Sequence, residues 1–452
     1  MTPGPAAGAG AATDAHRGPG EELAQVSGLT HEGEGVVRGG KTVFVAGALP
    51  GESIRLRRTR RHRQHDDGEL LEVLEPSPDR VVPRCAHFGV CGGCALQHLA
   101  APAQLAAKQA ELEGVLAHVA QVSPRRWLTP LAGPEWAYRR RARLGAKFVH
   151  RKGRVVVGFR ERAAPLVADL SRCEVLAEPV GALIAPLAAA LTRLSIREKV
   201  PQIEVAVADN AVALILRTLE EPAPDDRALL REFATAHGLR LYLQPGGLGS
   251  VHELDGQVSE PLRYGLRDFG LELEFSPTDF IQVNGAVNAA LVARAVELLE
   301  VDPGSRVLDL YCGLGNFTLA LARRCATATG VEGEAALIAR ARGNAARNGI
   351  ANVEFHAADL ATEPPPAAPW LRGPYSHVLL DPPRVGARAV LGALAAMSAR
   401  RLLYISCHPG SLARDLMVLV HEHGFTLEAA GVVDMFPHTA HVESLALLTR
   451  PQ

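Results

Sequence analysis

The 452-residue chain has no long apolar run. Its longest apolar stretch, around residues 183–194, contains Pro186 and Arg193, whereas a membrane helix needs about 18 or more apolar residues. The first twenty residues lack the basic and apolar regions of a secretory signal. We therefore expect a disordered tail over residues 1–20 and a soluble, cytoplasmic protein with no membrane partner.

The chain also lacks an excess of either charge, since 48 basic and 49 acidic side chains leave a net charge of −1. This balance argues against a uniformly basic binder of polyanions. No repeat of 20–50 residues is present. At about 100–200 residues per domain, the length predicts roughly two to four domains. We predict a small β-barrel over residues 21–76, a central α+β domain over 77–285 and an α/β domain over 286–452.

The barrel prediction depends on alternating apolar residues between glycine-rich turns over residues 22–74. Its last predicted strand is strongly basic. The six arginines of this run are Arg55, Arg57, Arg58, Arg60, Arg61 and Arg63. They indicate either contact with a nucleic-acid backbone, which we favour, or a solvated edge strand protected by charge. A second basic group is open between RNA contact and pairing with acids, and consists of Arg139, Arg140, Arg141 and Arg143.

Helices alternate with buried strands from about residue 286, which is typical of a parallel, doubly wound α/β sheet. In RVLDLYCGLGNFTLAL a strand carrying Asp309 leads to Gly313 and Gly315 before a helix. This spacing is not GxGxxG, so a dinucleotide cofactor is not favoured. Glu332 ends the next strand, where a carboxylate can hold ribose hydroxyls, and Asp359 follows the third. Each alone fits a turn glycine or a solvated acid, but together they resemble the S-adenosylmethionine site of class I methyltransferases.

A cysteine follows another buried strand in LLYISCHPGSLARDL. Cys407 at this strand end is either a packed small side chain or a nucleophile facing the ligand crevice. A helix expected from Ser411 or Leu412 onward favours the nucleophile, because its N-terminal dipole lowers a thiol pKa. LLDPPRVGA places Asp381 in a rigid loop at a further strand end, which is either a βα turn or a wall beside the cofactor methyl group.

Glu443 precedes the last strand in HTAHVESLALL. Its spacing from the neighbouring histidines is not the metal-binding HExxH arrangement, so a base is the stronger interpretation. Methylation of uracil at C5 needs such a base and also a thiolate, because C5 attacks a methyl donor only after a nucleophile has added at C6. Cys407 and Glu443 fit these two tasks.

Three more cysteines, Cys85, Cys91 and Cys94, lie in a glycine-rich C-x5-C-x2-C segment. Cys173 is the candidate for a fourth ligand. Disulfides are not expected in a cytoplasmic chain. Four thiolates suit either structural zinc or a [4Fe–4S] cluster, and their spacing does not decide between the two.

The motifs now carry a specific resemblance, which spans nearly the whole chain. They are HEGEGVVRGGKTVFVAGALPGE, CAHFGVCGGC, YRRRARL, GFRERAAPLVADLSRCEVL, FIQVN, DLYCGLGNFTLALA, DPPR, SCHPGSLARDL and DMFPHTAHVE. The chain resembles the RNA uracil-C5 methyltransferases that make 5-methyluridine, especially the 23S ribosomal RNA branch with an OB-like TRAM barrel and an iron–sulfur cluster.

The resemblance implies a role for each matching residue. A [4Fe–4S] cluster would be bound by Cys85, Cys91, Cys94 and Cys173. S-adenosylmethionine would be bound by Gln282, Tyr311, Asn316, Glu332, Asp359 and Asp381. Cys407 would be the nucleophile and Glu443 the base. The chain departs from the usual family residues at His408, Ser411, Tyr311 and Asp359, which puts fine specificity in doubt more than the reaction.

Three alternatives remain at this point. A transfer RNA is the rival substrate within the same reaction, and cytosine-C5 methylation is a weaker possibility. A non-catalytic RNA-binding iron–sulfur protein is the alternative of a different class. The sequence does not name the uridine, and no obligate protein partner is evident.

Overall fold

The computed structural model describes residues 20–256 and 258–450. The predicted tail lies outside these residues except for Gly20. The chain divides into two compact units, the first ending at Val81 and the second beginning at Val82. None of the described helices is long and apolar enough to cross a membrane.

The first unit is a closed five-stranded barrel, as predicted. Its strands are β1 (Glu21–Leu29), β2 (Gly35–Val37), β3 (Thr42–Val45), β4 (Ser53–Arg61) and β5 (His65–Glu75). They are arranged in the order β1-β2-β3-β5-β4, and β4 closes the barrel by pairing with β1. Val43, Val45, Ile54 and Leu56 fill the interior and are fully buried. Only glycine fits at Gly35, because a Cβ there would lie 2.8 Å from that of Ala48.

The arginine run lies on β4 and not on the last strand, so that part of the prediction is wrong. Arg55, Arg57 and Arg58 form ion pairs with carboxylates of β1 and β5, at 3.4, 3.2 and 2.8 Å. These pairs arise because β4 lies between two strands rich in acids. The exposed arginines that form no ion pair among the described residues are Arg60, Arg61 and Arg63. The charges of these three arginines are therefore available to a binding partner.

The second unit contains the remaining elements. Its strands are β6 (Arg126–Trp127), β7 (Arg141–Val149), β8 (Arg154–Gly158), β9 (Gln202–Val207), β10 (Val212–Arg217), β11 (Leu239–Gln244), β12 (His252–Glu253), β13 (Leu262–Leu266), β14 (Leu271–Phe275), β15 (Arg306–Leu310), β16 (Thr327–Glu332), β17 (Val353–Ala357), β18 (His377–Leu380), β19 (Arg401–Ser406), β20 (Thr426–Val433) and β21 (Glu443–Thr449). Its α-helices are α1 (Ala101–Val115), α2 (Ile184–Arg193), α3 (Pro224–His237), α4 (Gly285–Leu299), α5 (Thr318–Ala322), α6 (Ala335–Arg347), α7 (Arg388–Ala395) and α8 (Pro409–Met417). Two π-helical segments, Leu116–Ala120 and Val418–Glu422, extend α1 and α8.

Two large sheets organise this unit. A six-stranded sheet has the order β12-β11-β10-β9-β7-β8, and β13 and β14 form a separate hairpin. The eight-stranded sheet has the order β17-β16-β15-β18-β19-β21-β20-β6 and is parallel from β17 to β19. This is the parallel, doubly wound α/β sheet that the sequence predicts. Its strand order reverses between β15 and β18, which is where such sheets bind ligands at their carboxyl edge.

Residues 101–131, which the prediction places in the central domain, pack on the eight-stranded sheet. β6 pairs with β20 at the edge of that sheet. Leu112 and Leu116 are buried in the same apolar core as the neighbouring strands and helices. The segment folds this way because β6 covers an otherwise open edge of the sheet, and because the buried stripe of α1, Gln104, Lys108 and Leu112, finds polar partners and apolar contacts there.

Candidate active site

Five of the predicted site residues lie at the carboxyl edge of the parallel strands. Tyr311 follows β15, Glu332 ends β16, Asp381 follows β18 and Cys407 follows β19. Glu443 begins β21, which runs antiparallel to β19 and therefore starts at the same edge. The fold thus brings residues separated by up to 132 positions in the sequence to one line of strand ends.

The loop after β15 holds an unusual backbone conformation. Gly313 and Gly315 have φ of +55° and +95°, and Tyr311 has φ of +65° although it is not glycine. The strained tyrosine is held because its N–H and that of Cys312 donate to the Val331 carbonyl, at 2.9 and 3.1 Å. The loop therefore presents a preformed, side-chain-poor backbone to a ligand.

The Glu332 carboxylate ties this loop to β16. It accepts hydrogen bonds from the N–H groups of Gly313, Gly333 and Glu334 at 3.1, 2.7 and 3.2 Å. Asp359 lies two residues beyond β17, is exposed, and accepts from a nearby backbone N–H at 2.9 Å. Both carboxylates keep lone pairs available at the edge where the sequence predicts the cofactor.

Asn316 has its side chain engaged within the protein. Its Oδ1 accepts from the Tyr264 hydroxyl and from Asn288 Nδ2, each at 3.0 Å, and its Nδ2 donates to Asn288 Oδ1 at 2.9 Å. These bonds hold the glycine loop against α4 and β13. Gln282 is half-buried just before α4. Direct cofactor contact by Asn316 and Gln282 stays a prediction.

Asp309 carries a buried oxygen with no partner. Its Oδ2 accepts from the Thr318 hydroxyl at 2.5 Å, while its Oδ1 has no hydrogen bond. Burial raises the pKa of Asp309 to about 8 and that of Asp381 to about 7. A cationic ligand would favour the ionised form of both acids, so this edge suits a positively charged cofactor such as a sulfonium.

Cys407 and Glu443 leave the sheet side by side. Strand register pairs Ser406 with Ser444, so the next residues outward are the cysteine and the glutamate. Glu443 is buried, and burial together with the charge of Asp381 raises its pKa to about 8. A carboxyl group poised near the working pH is suited to moving a proton.

The environment of Cys407 corrects the predicted effect of the helix on the thiol. Burial of the half-exposed side chain, followed by the charges of Glu443 and Asp381, raises the pKa of Cys407. α8 begins at Pro409, two residues before the predicted start, because the His408 ring accepts from the Ser411 N–H and caps the helix. The expected lowering of the pKa is wrong, because desolvation and two carboxylates outweigh the helix dipole.

Four cysteines surround one small cavity elsewhere in this unit. It is lined by Cys85, Cys91, Cys94 and Cys173. No three of their sulfurs lie within 4.8 Å of one another, whereas sulfurs on one zinc ion would be about 3.8 Å apart, given Zn–S bonds of about 2.3 Å. Among the described residues, one group of three potential ligands does have its ligand atoms within 4.8 Å of one another. It lies in the barrel and consists of His62, His65 and Asp67. The cysteine spacing suits a group larger than a single ion.

A basic cleft of about 920 Å³ is lined by residues of the cysteine segment, of the six-stranded sheet and of the loop before Glu443. Its lining includes Gly92 and Gly93 of the cysteine segment and His441 of the loop before Glu443. The arginines along it are Arg139, Arg143, Arg160, Arg162 and Arg384. The cleft therefore concentrates positive charge on a nearly neutral protein. Three members of the second basic group also pair with acids: Arg140 with Asp209 at 2.7 Å, and Arg143 and Arg141 with Glu204 at 3.0 and 3.9 Å.

Comparison with known proteins places this geometry in a family. Residues 100–364 and 372–451 match the family model described as tRNA (Uracil-5-)-methyltransferase. The chain belongs to this family. It is an S-adenosylmethionine-dependent RNA uracil-C5 methyltransferase, and the resemblance seen in its motifs is confirmed.

Curated relatives match almost from end to end. The chain is 50% identical over 426 residues to the 23S rRNA (uracil(1939)-C(5))-methyltransferase RlmD of Alkalilimnicola ehrlichii, covering 94% of this chain and 96% of the relative. It is 49% identical over 429 residues to the RlmD of Xanthomonas euvesicatoria, with the same coverage. The solved tRNA (uracil-54, C5)-methyltransferase of Pyrococcus abyssi, in complex with S-adenosyl-L-homocysteine, has the same fold. Its TM-score is 0.71 at 22% identity, and the match covers 95% of this chain and all of that one.

Sequence reasoning missed a buried polar network behind the methyltransferase site. Gln104 and Lys108 lie on α1 and contact the loop that precedes Glu443. The available signal is their spacing, since residues 104, 108 and 112 form one buried stripe of the helix. Polar residues on such a stripe indicate buried partners, but they do not identify those partners.

The raised pKa of Cys407 predicts slow alkylation at neutral pH. We expect the rate with iodoacetamide to rise about tenfold per pH unit from pH 7 to 9 without a plateau, because the thiolate is the reactive form. Mass spectrometry of the peptide that contains Cys407 measures this rate. Asp381→Asn should accelerate labelling at pH 8–9 by removing a negative charge. A plateau below pH 8 in the unmodified protein would contradict the prediction.

Proposed function

We propose that this methyltransferase converts a uridine of 23S ribosomal RNA to 5-methyluridine, at the position equivalent to the 1939 named for its relatives. The observation that carries the proposal is the adjacency of Cys407 and Glu443 at the edge that also carries the glycine loop. The near end-to-end match to ribosomal RNA enzymes supports the choice of RNA.

The cofactor would lie along the strand ends from Tyr311 to Asp381. S-adenosylmethionine supplies an electrophilic methyl group on a sulfonium. The Glu332 carboxylate would bind the ribose hydroxyls, and Asp359 would bind the exocyclic amine of adenine. The unpartnered Oδ1 of Asp309 and the buried carboxyl of Asp381 provide a local environment that favours a cation.

The reaction uses the two adjacent side chains in turn. The Cys407 thiolate adds to C6 of the uracil, and the electron pair of the C5–C6 double bond moves toward the C4 carbonyl. C5 would then form a bond to the sulfonium methyl group as the methyl–sulfur bond breaks, and the neutral thioether S-adenosyl-L-homocysteine would be the leaving group. The Glu443 carboxylate accepts the proton left on C5, the double bond re-forms, and the bond from C6 to the cysteine sulfur breaks.

We propose that the four cysteines bind a [4Fe–4S] cluster. The proposal is supported by the cavity that all four residues line and by their sulfurs, no three of which lie within 4.8 Å of one another. The Gly93 N–H donates to Cys91 Sγ at 3.4 Å, and hydrogen bonds of this kind tune cluster thiolates. Iron and sulfide analysis of anaerobically purified protein tests the assignment. About four irons per chain would support it, and one zinc per chain would oppose it.

We propose that the basic cleft binds the RNA strand around the target. A uracil must leave its stack before a thiolate can reach C6, and arginines beside the active site can hold the neighbouring phosphates. Arg143 is 69% exposed although it pairs with Glu204 at 3.0 Å. Exposed Arg60, Arg61 and Arg63 of the barrel offer a second basic surface.

Removal of charge from the cleft should weaken RNA binding in a salt-dependent way. We expect the double variant Arg143→Gln/Arg160→Gln to bind RNA more weakly and to lower the slope of log K against log salt by about 1.4, at about 0.7 for each single-strand phosphate contact. Fluorescence anisotropy at several salt concentrations measures this change. Arg324→Gln, at the opposite edge of the sheet, is the matched control. An unchanged slope would remove these two arginines from the RNA path.

Nucleoside mass spectrometry tests the proposed function. Undermethylated 23S and transfer RNA fractions are incubated separately with the protein and S-adenosylmethionine carrying a heavy methyl group. Heavy 5-methyluridine in 23S RNA, mapped to the expected fragment, supports the proposal. Label in transfer RNA alone would keep the reaction and overturn the substrate. No label in either fraction, from protein that binds the cofactor, would overturn the catalytic assignment in favour of an RNA-binding scaffold.

A further inference from the structure

The loop that leads to Glu443 is anchored by two buried polar residues of α1. Gln104 and Lys108 are each 2% exposed and lie one helical turn apart on the same face. Lys108 Nζ donates to Asp434 Oδ1 at 2.7 Å and to the Phe436 carbonyl at 3.0 Å. The helix thus fixes the beginning of this loop, directly after β20 ends.

Gln104 fixes the same loop closer to the base. Its Oε1 accepts from the His438 N–H at 2.9 Å, and its Nε2 lies 3.2 Å from His438 Nδ1. Nε2 also donates to the carbonyls of Leu96 and Leu99, at 3.1 and 2.8 Å. One buried amide therefore joins three segments of the chain: α1, the stretch after Cys94 and the loop before Glu443.

The segment that follows the cysteines contacts this loop directly. The N–H groups of Ala95 and Leu96 both donate to the His438 carbonyl at 2.9 Å. Ala95 is the residue after Cys94, which lines the cysteine cavity. Contacts among Gln104, Leu96, Leu99 and His438 thus connect the cysteine segment to this loop.

His438 lies five residues before Glu443, and its own conformation is restrained. It has φ of +64°, is buried, and its ring centroid lies 3.9 Å from that of Trp136. Beyond it, Thr439 bonds back to the Phe436 carbonyl, and the His441 N–H donates to the Thr439 hydroxyl. These bonds brace the loop between His438 and the start of β21.

An apolar side chain of similar size would fill the space at residue 104. An amide there must be fully hydrogen-bonded to be tolerated, because an unsatisfied buried polar group is costly. The hydrogen bonds of such an amide fix both the orientation and the distance of the groups that it contacts. A misplacement of about 1 Å at a reacting group can cost on the order of 100-fold in rate.

We propose that Gln104 is a positioning residue that sets Glu443 for removal of the C5 proton, with the segment after Cys94 as its second anchor. The inference rests on the proposed function, because it assigns Gln104 to the last chemical stage of that reaction. Gln104 does not touch the substrate. Its loss should therefore slow proton removal and leave formation of the methylated adduct intact.

The experiment compares Gln104→Met with the unmodified protein and with Gln109→Met, a matched change on the same helix. We expect Gln104→Met to turn over about 10- to 100-fold more slowly and to accumulate an RNA adduct on Cys407 that survives denaturing gels. The dissociation constants for S-adenosylmethionine and RNA should change less than twofold. Gln109→Met should behave like the unmodified protein.

A second background separates positioning from a general loss of structure. In Glu443→Gln, where the base is absent, adding Gln104→Met should leave the rate of adduct formation unchanged. Slower adduct formation in both backgrounds would overturn the inference, as would turnover of Gln104→Met within twofold of normal. If the unmodified protein itself makes no 5-methyluridine, the proposed function has failed, which is distinct from failure of the positioning role.

Discussion

Replacement of Cys407 by alanine will abolish methyl transfer to RNA. We expect a loss of at least about 10⁴-fold, since removal of a covalent nucleophile leaves only binding and orientation. The cofactor and RNA should bind within twofold of normal, because Cys407 is half-buried at a strand end and contributes little to either surface. Transfer of a heavy methyl group and the yield of covalent adduct are the two measurements.

A second cysteine provides the control for this loss. Cys325 is buried and lies just before β16, at the opposite edge of the sheet from the site. Cys325→Ala should keep its activity. Turnover by Cys407→Ala at more than about one per cent of normal would show that C5 is methylated without thiol addition, and the assignment of the nucleophile would be wrong.

The position of the site was predictable because it depends on a general property of parallel sheets. Strand ends at Tyr311, Glu332, Asp381 and Cys407 meet at one edge whatever the details of packing. Glu443 joins them only because β21 runs antiparallel to β19. Its residue type and motif indicated a base, but its distance from Cys407 in the sequence carried no information about their adjacency.

The acidity of the thiol was not predictable from local sequence. A helix N-terminus follows Cys407 as expected, yet the pKa of the thiol rises, first because the side chain is partly buried and then because of the charges of Glu443 and Asp381. These carboxylates come from two other strands. The rule that a helix N-terminus lowers a thiol pKa was therefore applied to the correct helix. It missed the larger contributions to the pKa, which depend on tertiary contacts.

Tertiary contacts that local sequence does not reveal also decide the domain pattern and the pairing of the basic residues. β6 has only two residues, which is too short for an alternating signal, so its place beside β20 was not visible in the sequence. The acids that pair with Arg55, Arg57 and Arg58 lie on neighbouring strands of the barrel. Composition indicated a basic surface, whereas side-chain contacts decide which arginines form ion pairs. Arg60 and Arg61 lie opposite Asp67 and Asp66, but Asp66 pairs with Lys41 and Arg58, and Asp67 with His62.

Replacement of Glu443 by glutamine will separate methyl transfer from product release. Glutamine has nearly the same shape, but it does not accept the C5 proton. We expect one round of methyl transfer, accumulation of a methylated Cys407–RNA adduct, and multiple turnover reduced by about 10²- to 10⁴-fold, the usual contribution of a general base. Mass spectrometry of the adduct distinguishes methylated from unmethylated RNA. An adduct without the methyl group would place Glu443 at an earlier step.

The same substitution should stabilise the folded protein at alkaline pH. The pKa of Glu443 rises from its usual 4.5 to about 8 in the folded state. Between these values the folded carboxyl keeps a proton that the unfolded one has lost, so wild-type stability falls as the pH rises from about 4.5 to 8. Glutamine carries no such penalty.

We expect the free energy of unfolding of Glu443→Gln to equal that of the wild type near pH 5 and to exceed it by up to a few kcal/mol at pH 8, measured by denaturant unfolding. Equal stability of the variant and the wild type at pH 8 would mean that burial does not destabilise the Glu443 carboxylate. A variant that is inactive but more stable would show that the wild-type protein keeps this base at a cost to the stability of the fold.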